Sequence, residues 1–310
     1  MAVDMKKVKE LREMTGAGMM DCKKALEEAN SDMDKAVELL REKGLAASAK
    51  KAGRIAAEGI VEIYLSDDNK VGAIVEVNSE TDFVAKNQKF RDYVAEVAKQ
   101  AANSSAANME EFFAEKWESD TAFTVKEALS QQVAVIGENL NIRRFERYTR
   151  QNSGALVSYI HGGGRIGVLI ELACEKENTA LEELGKNIAM QIAALNPQFI
   201  ATKDVPQEFI DKETEILTIQ AKEDPKNASK PDNIIAKMIE GRLKKELKEI
   251  CLIEQPYVKD GDMTVKQYMD SVAKQIGAPI EITRYVRFET GEGLEKKEEN
   301  FADEVAKAIQ

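Results

Sequence analysis

A single histidine, His161, occurs in 310 residues, with one tryptophan, three cysteines and aromatic residues at only 6%. That excludes multi-histidine metal sites, and any histidine-dependent catalysis would have to use that one residue. Cys22, Cys174 and Cys251 are odd in number and widely separated. They form neither a CxxC pair nor a disulfide framework, which fits a reducing compartment. No stretch approaches the roughly 18 consecutive apolar residues of a membrane span. Residues 1–14 alternate charge with sparse apolar positions and lack the apolar core of a signal peptide. These absences lead to the expectation of a cytoplasmic chain with no membrane partner. Positive charge is also in deficit, with Lys plus Arg at 44 against Asp plus Glu at 55 and a net charge of −11. That balance argues against non-specific nucleic-acid binding, whose affinity rests on cations facing phosphates.

What is present describes a soluble, globular chain, 43% hydrophobic and 32% charged, with a length prior of about two domains. Residues 1–56 predict a three-helix domain and linker. Met5, Val8 and Leu11 share one face; Cys22, Leu26 and Ala29 share a second, and Met33, Val37 and Leu40 a third. Asn30-Ser31-Asp32 offers N-cap chemistry, and Gly44 is expected to stop the third helix.

A duplication follows. At an offset of 95, Gly59, Tyr64, Gly72, Glu76, Ala85 and Ala98 meet Gly154, Tyr159, Gly167, Glu171, Ala180 and Ala193. At an offset of 140, Thr124-Val125-Lys126 meets Thr264-Val265-Lys266, Ile136-Gly137 meets Ile276-Gly277, and Ile142, Arg144 and Tyr148 meet Ile282, Arg284 and Phe288. Each copy reads as a hairpin, helices and a third strand. The copies are expected at 57–149 and at 150–196 with 251–289. The difference between offsets leaves an insert at 197–250, and none of the six prolines precedes Pro197. Its apolar spacing, Phe209, Ile216 and Ile219 then Ile235, Ile239, Leu243, Leu247 and Ile250, predicts an antiparallel helical hairpin, or arm. In a module at 290–310, Phe301, Val305 and Ile309 predict a short amphipathic helix. The expected class is α+β, with antiparallel sheets in the duplicated core.

Candidate chemistry is sparse. Gly162-Gly163-Gly164-Arg165-Ile166-Gly167 matches GxGxxG, but the duplication places it at a hairpin turn, where glycines supply positive φ, and not at a strand-to-helix junction. His161 begins that turn and reads as an exposed turn residue or an interface contact. No nucleophile–base constellation accompanies it. Asn78-Ser79-Glu80-Thr81-Asp82-Phe83-Val84-Ala85-Lys86-Asn87 lies between a strand and a helix, with Thr81 or Asp82 as N-cap. By residue type Phe83 would be core, yet the second copy folds with Asn178 in that place. No catalytic residue, metal site or cofactor is expected.

Three blocks resemble the bacterial elongation factor Ts family: Leu11 to Leu26, containing Thr15-Gly16-Ala17-Gly18-Met19-Met20; Glu76 to Asn87; and His161 to Val168. The similarity covers essentially the full chain. Ser79 stands where many relatives have Cys. The resemblance implies a UBA-like N-terminal domain and a guanine-nucleotide exchange factor for elongation factor Tu in translation elongation. It implies that Thr81, Asp82, Phe83 and Val84 disturb the partner's Mg²⁺ and phosphate site. His161 is implied near the partner's phosphate-binding loop, and Met19, Met20 and Lys23 at another part of the same domain. A homodimer or 2:2 complex through the arm is left open. Two other readings of the residues stand beside it. One is a non-catalytic helical adaptor. The other is a nucleic-acid-binding module using the N-terminal helices with Lys50, Lys51 and Arg54.

Overall fold

The computed structural model describes residues 3–176, 178–227 and 230–295. The predicted tail helix at Phe301 to Ile309 lies outside them. The chain starts with three helices, α1 (Met5–Thr15), α2 (Met19–Glu28) and α3 (Met33–Lys51). Asp4 and Asp32 accept hydrogen bonds from the backbone N–H of Lys6 and Lys35, so each caps the helix it precedes. Of the faces read from sequence, Val8, Leu11, Cys22, Leu26 and Ala29 are buried together with Ala25 and Ala36. Met33, Val37 and Leu40 pack against them half-buried, and Met5 is exposed. Burial pushes the Cys22 thiol above its ordinary pKa, so it acts as a small hydrophobe.

Gly44 does not end α3. The helix continues to Lys51, and a Cβ at Gly44 would meet only the carbonyl of Ser130 and the methyl of Ala134 at ordinary contact distance. The glycine thus neither stops the helix nor is needed for its packing, and half of the expected linker is helix.

The first copy of the duplicated unit comprises β1 (Glu58–Leu65), β2 (Val71–Ser79), α4 (Asp82–Ala85), α5 (Gln88–Asn103), α6 (Met109–Ala114), α7 (Val125–Ile136) and β3 (Asn141–Thr149). Its sheet is antiparallel in the order β1-β2-β3, with Ile63 opposite Ile74 and Val75 opposite Phe145. As the central strand, β2 is almost wholly buried, which suits its run of β-branched residues. On one face of the sheet α5 lays Phe90, Tyr93, Val94, Val97 and Ala101, and Trp117 completes the core.

α3 packs against α7, the partner beneath Gly44. Thr124 and Glu127 form a capping box at the start of α7, and Arg41 of α3 pairs with the same Glu127 while lying over the Phe123 ring. Burial would raise the Glu127 pKa; the Arg41 guanidinium and the Thr124 amide outweigh it and hold the carboxyl below its ordinary value.

The second copy comprises β4 (Gly154–His161), β5 (Ile166–Ala173), α8 (Thr179–Leu195), the arm helices α9 (Gln207–Glu223) and α10 (Asp232–Ile250), then β6 (Pro256–Tyr257), β7 (Asp260–Thr264), α11 (Val265–Ile276) and β8 (Glu281–Glu289). Its main sheet runs β4-β5-β8, and β6 and β7 make a small ribbon. The duplication holds in atomic detail. Gly59 and Gly154 both adopt positive φ, and a Cβ at either would lie within 2.2 Å of a facing strand's carbonyl oxygen. Thr124 and Thr264 both open capping boxes, and Gly137 and Gly277 both close their helices in the left-handed conformation. Glu76 and Glu171 are both buried acids, bonded to the Nε of Arg144 and Arg284 at 2.6 and 2.7 Å.

The arm is an antiparallel helical pair, but not on the predicted face of α9. Leu217 and Ala221 are its buried residues, while Ile216 and Ile219 are exposed. The predicted face of α10, from Ile235 to Ile250, is half-buried as expected. The chain divides into two compact units. One gathers residues up to Thr149, the hairpin tip Ile160–Gly167 and the described residues from Phe288. The other contains Arg150–Tyr159 and Val168–Arg287.

Candidate partner-binding site

β2 delivers the chain to Ser79 and stops because the next residues turn. The Ser79 hydroxyl donates to the Thr81 carbonyl at 3.0 Å, and Thr81 takes an extended conformation as N-cap of α4, accepting from the Val84 N–H at 3.3 Å. Of the two N-cap candidates, Thr81 is the one used. After a single turn Asn87 begins a new helix, its side chain accepting from the Lys89 N–H. Thr81 to Lys86 is thus a short turn capped at one end and closed at the other.

Within it the side chains divide sharply. Ala85 is buried and Val84 packs against the core, whereas Phe83 is 80% exposed. The expectation from residue type, that Phe83 is core, fails because its neighbours already fill the space beneath α4. Asp82 is exposed and bonds Lys86 at 2.6 Å. That ammonium holds its carboxyl below the ordinary carboxylate pKa, so the turn presents an anion beside an aromatic ring.

Three interactions from outside fix the turn. The Glu138 carboxylate, in the loop after α7, accepts from the Glu80 and Thr81 N–H groups at 3.0 and 3.1 Å and from the Thr81 hydroxyl at 2.6 Å. In return, Glu80 accepts from the Asn139 N–H at 2.6 Å. Sequence reasoning missed Glu138. A signal was available, because the duplication aligns Glu138 with Ala278.

The hairpin tip at His161 belongs to the same unit. Gly162, Gly163 and Gly164 all have positive φ, and the N–H groups of Gly164 and Arg165 return to the His161 carbonyl. The glycine-rich motif is therefore a turn, as the duplication implies. Gly164 lies against β1, its carbonyl accepting from the Val61 N–H at 2.7 Å, and a Cβ there would meet Ile60 at 2.8 Å. Arg91 of α5 donates to the Gly163 carbonyl at 2.6 Å. His161 itself is exposed.

Asp82 and Lys86 of the turn, Arg91, and Gly162, Gly163 and Arg165 of the tip line one open recess. The structure thus brings the Thr81–Val84 turn and the His161 tip to a shared surface. Met19, Met20 and Lys23 lie elsewhere, at the start of α2. There both methionines are exposed and Lys23 pairs with Glu27. No group of metal-ligating side chains occurs among the described residues, and no described helix is long and apolar enough to cross a membrane.

The profile of the family described as Elongation factor TS matches residues 80–292, a span containing both the turn and the tip. Over 305 residues the chain is 57% identical to Elongation factor Ts of Clostridium perfringens (strain SM101 / Type A), covering 98% of each chain. It is 56% identical over 307 residues to Elongation factor Ts of Clostridium novyi (strain NT), covering 99% of each, and 55% identical over 303 residues to that of Clostridium kluyveri (strain ATCC 8527). The chain belongs to the elongation factor Ts family. Its role accordingly lies in translation elongation. As a member of the elongation factor Ts family, it has the mixed α+β architecture with antiparallel sheets that its sequence led us to expect.

Proposed function

We propose that the chain is a guanine-nucleotide exchange factor that binds GDP-bound elongation factor Tu and accelerates GDP release, acting on a partner GTPase and not as a catalyst of bond chemistry. The observation that carries this reading is Phe83, 80% exposed on a turn held at both ends by hydrogen bonds. Asp82 and Phe83 enter the partner's GTPase domain beside its Mg²⁺ and phosphate site, and Thr81 and Val84 fix their approach. His161 meets the partner near its phosphate-binding loop. Met19, Met20 and Lys23 hold another part of that domain, and the arm addresses a different one. Ile216, Ile219 and Ile234, exposed on the arm, are where a homodimer or 2:2 complex would form. The chain needs no cofactor of its own in this scheme, and the Mg²⁺ belongs to the partner.

Magnitudes favour a distributed mechanism. A nucleotide bound at nanomolar affinity is held by roughly 12 kcal/mol. Accelerating its release by four decades requires lowering the barrier by about 5.5 kcal/mol. Burying one Phe side chain supplies only about 1.5–3 kcal/mol. The remainder comes from lost metal and phosphate contacts and from binding at the other surfaces. Nucleotide and exchange factor must then antagonise each other reciprocally.

Stopped-flow release of a fluorescent GDP from elongation factor Tu tests the reading. Release should accelerate by orders of magnitude as the chain is added, with saturation. Release at the intrinsic rate in the presence of excess chain would contradict it.

A further inference from the structure

We propose that Glu138 is a positioning residue for Phe83, holding the Thr81–Val84 turn so that the ring is presented in one orientation; this rests on the exchange-factor reading above. Phe83 has almost no contacts of its own to fix it, being 80% exposed. Its orientation must therefore come from the backbone that carries it. That backbone is a single helical turn, too short to be stable alone. Glu138 supplies what the turn lacks. Its two carboxylate oxygens take up the N–H groups of Glu80 and Thr81 and the hydroxyl of Thr81, at 2.6 to 3.1 Å. Bonds to an ionised acceptor are stronger than neutral ones. The Thr81 hydroxyl both donates to Glu138 and accepts from the Val84 N–H, so the clamp passes directly into the turn bearing Phe83.

The clamp is reciprocal and anchored. Glu80 accepts from the Asn139 N–H at 2.6 Å, and the Asn139 side chain donates to the Arg54 carbonyl at 2.8 Å. Two consecutive residues of the loop after α7, Glu138 and Asn139, thus engage two consecutive residues of the turn, Thr81 and Glu80.

The duplication provides an internal comparison. The equivalents of Thr81, Phe83 and Glu138 are Lys176, Asn178 and Ala278. There Lys176 donates its ammonium to the carbonyls of Ile276 and Gly277 at 3.4 and 3.0 Å. The same two segments are tied together with the polarity reversed, as a lysine capping the C-terminus of α11. Asn178 caps α8 directly, and among the described residues no separate one-turn helix precedes it. Tying the strand end to the helix end is common to both copies, so it belongs to the scaffold. Among the described residues, the carboxylate clamp and the detached turn occur in the copy that carries the exposed Phe. That coincidence assigns Glu138 to presenting Phe83 and not to folding alone.

The test compares full-length wild type with Glu138→Ala, Glu138→Gln, Phe83→Ala and the double variant Phe83→Ala/Glu138→Ala. Hydrogen exchange of the free protein reads the clamp, and stopped-flow GDP release from elongation factor Tu reads its consequence. In Glu138→Ala the amides of Glu80 and Thr81 should lose protection while β2 keeps its own, and catalysed release should slow by about tenfold. Glu138→Gln retains one acceptor oxygen and should recover most of both losses. The double variant should be no slower than Phe83→Ala, because Glu138 acts through that ring. Unchanged protection in Glu138→Ala overturns the clamp. Altered protection with unchanged release, or a double variant with additive losses, overturns the positioning role. If Phe83→Ala accelerates release as well as wild type does, the role of the ring fails and the positioning role with it, while the exchange-factor reading stands. If wild type itself leaves release at the intrinsic rate, the exchange-factor reading fails, so the two failures are told apart.

Discussion

The Glu76 carboxylate is fully buried and accepts from the Nε of Arg144 at 2.6 Å. It also takes bonds from Arg143, the Asn78 side chain and the Gly291 N–H, so both oxygens are satisfied in the interior. Removing it would leave the Gly291 N–H without its acceptor, while Arg143 and Arg144, both partly exposed, keep their bonds to Glu292 and Glu289. Glu76→Ala should therefore destabilise the first unit by about 1–3 kcal/mol. Trp117, the sole tryptophan, lies in that unit's core, so urea unfolding followed by its fluorescence reads the change. A shift smaller than about 1 kcal/mol would show that water satisfies the network instead.

Two glycines should respond oppositely to alanine. Gly44 sits within α3 with room for a methyl group, so Gly44→Ala should stabilise by about 0.5–1 kcal/mol through helix propensity. At Gly59 the φ is +125° and the Cβ would lie 2.2 Å from the Val77 carbonyl oxygen. Gly59→Ala should then cost more than the gain at Gly44, on the same Trp117 signal.

The Arg41–Glu127 pair makes the attachment of α3 to α7 pH-dependent. The folded pKa of Glu127 lies below its ordinary 4.5. Its contribution is present above that ordinary value and is lost as pH falls through the lower folded pKa. In Glu127→Gln the single amide oxygen can still complete the capping box, so the charge and its bond to Arg41 are removed while the cap is kept. The urea midpoint of wild type should exceed that of Glu127→Gln at neutral pH, and the difference should shrink as the carboxylate protonates. A difference independent of pH would place the effect in packing.

Much of this fold is legible in the chain because it is written twice. The shared Gly59/Gly154, Thr124/Thr264, Gly137/Gly277 and Glu76/Glu171 positions fix strand ends, helix starts, helix stops and a buried charge, and each recurs for the same physical reason. What was not legible depends on contacts between distant segments. Gly44 looked like a stop because α7, which covers it, lies nearly ninety residues away. The inward face of α9 was misassigned because apolar spacing allowed Ile216 and Ile219 as readily as Leu217 and Ala221. At the site, the sequence marked Thr81 to Val84 and His161. Residue type alone points Phe83 to the core, while Asn178 in the second copy points away from it. The place of Glu138 beneath the turn, marked only by the change to Ala278, depends on how the loop after α7 packs.

The central claim, that exposed Phe83 acts on a partner's nucleotide site, is tested most directly by measuring release and stability together in Phe83→Ala. The ring touches little of its own chain, so Trp117-monitored stability should stay within about 0.5 kcal/mol of wild type. Catalysed GDP release from elongation factor Tu should fall about ten- to a hundredfold, the rate equivalent of one Phe burial. Release at the wild-type rate from a fully folded Phe83→Ala chain would contradict the account.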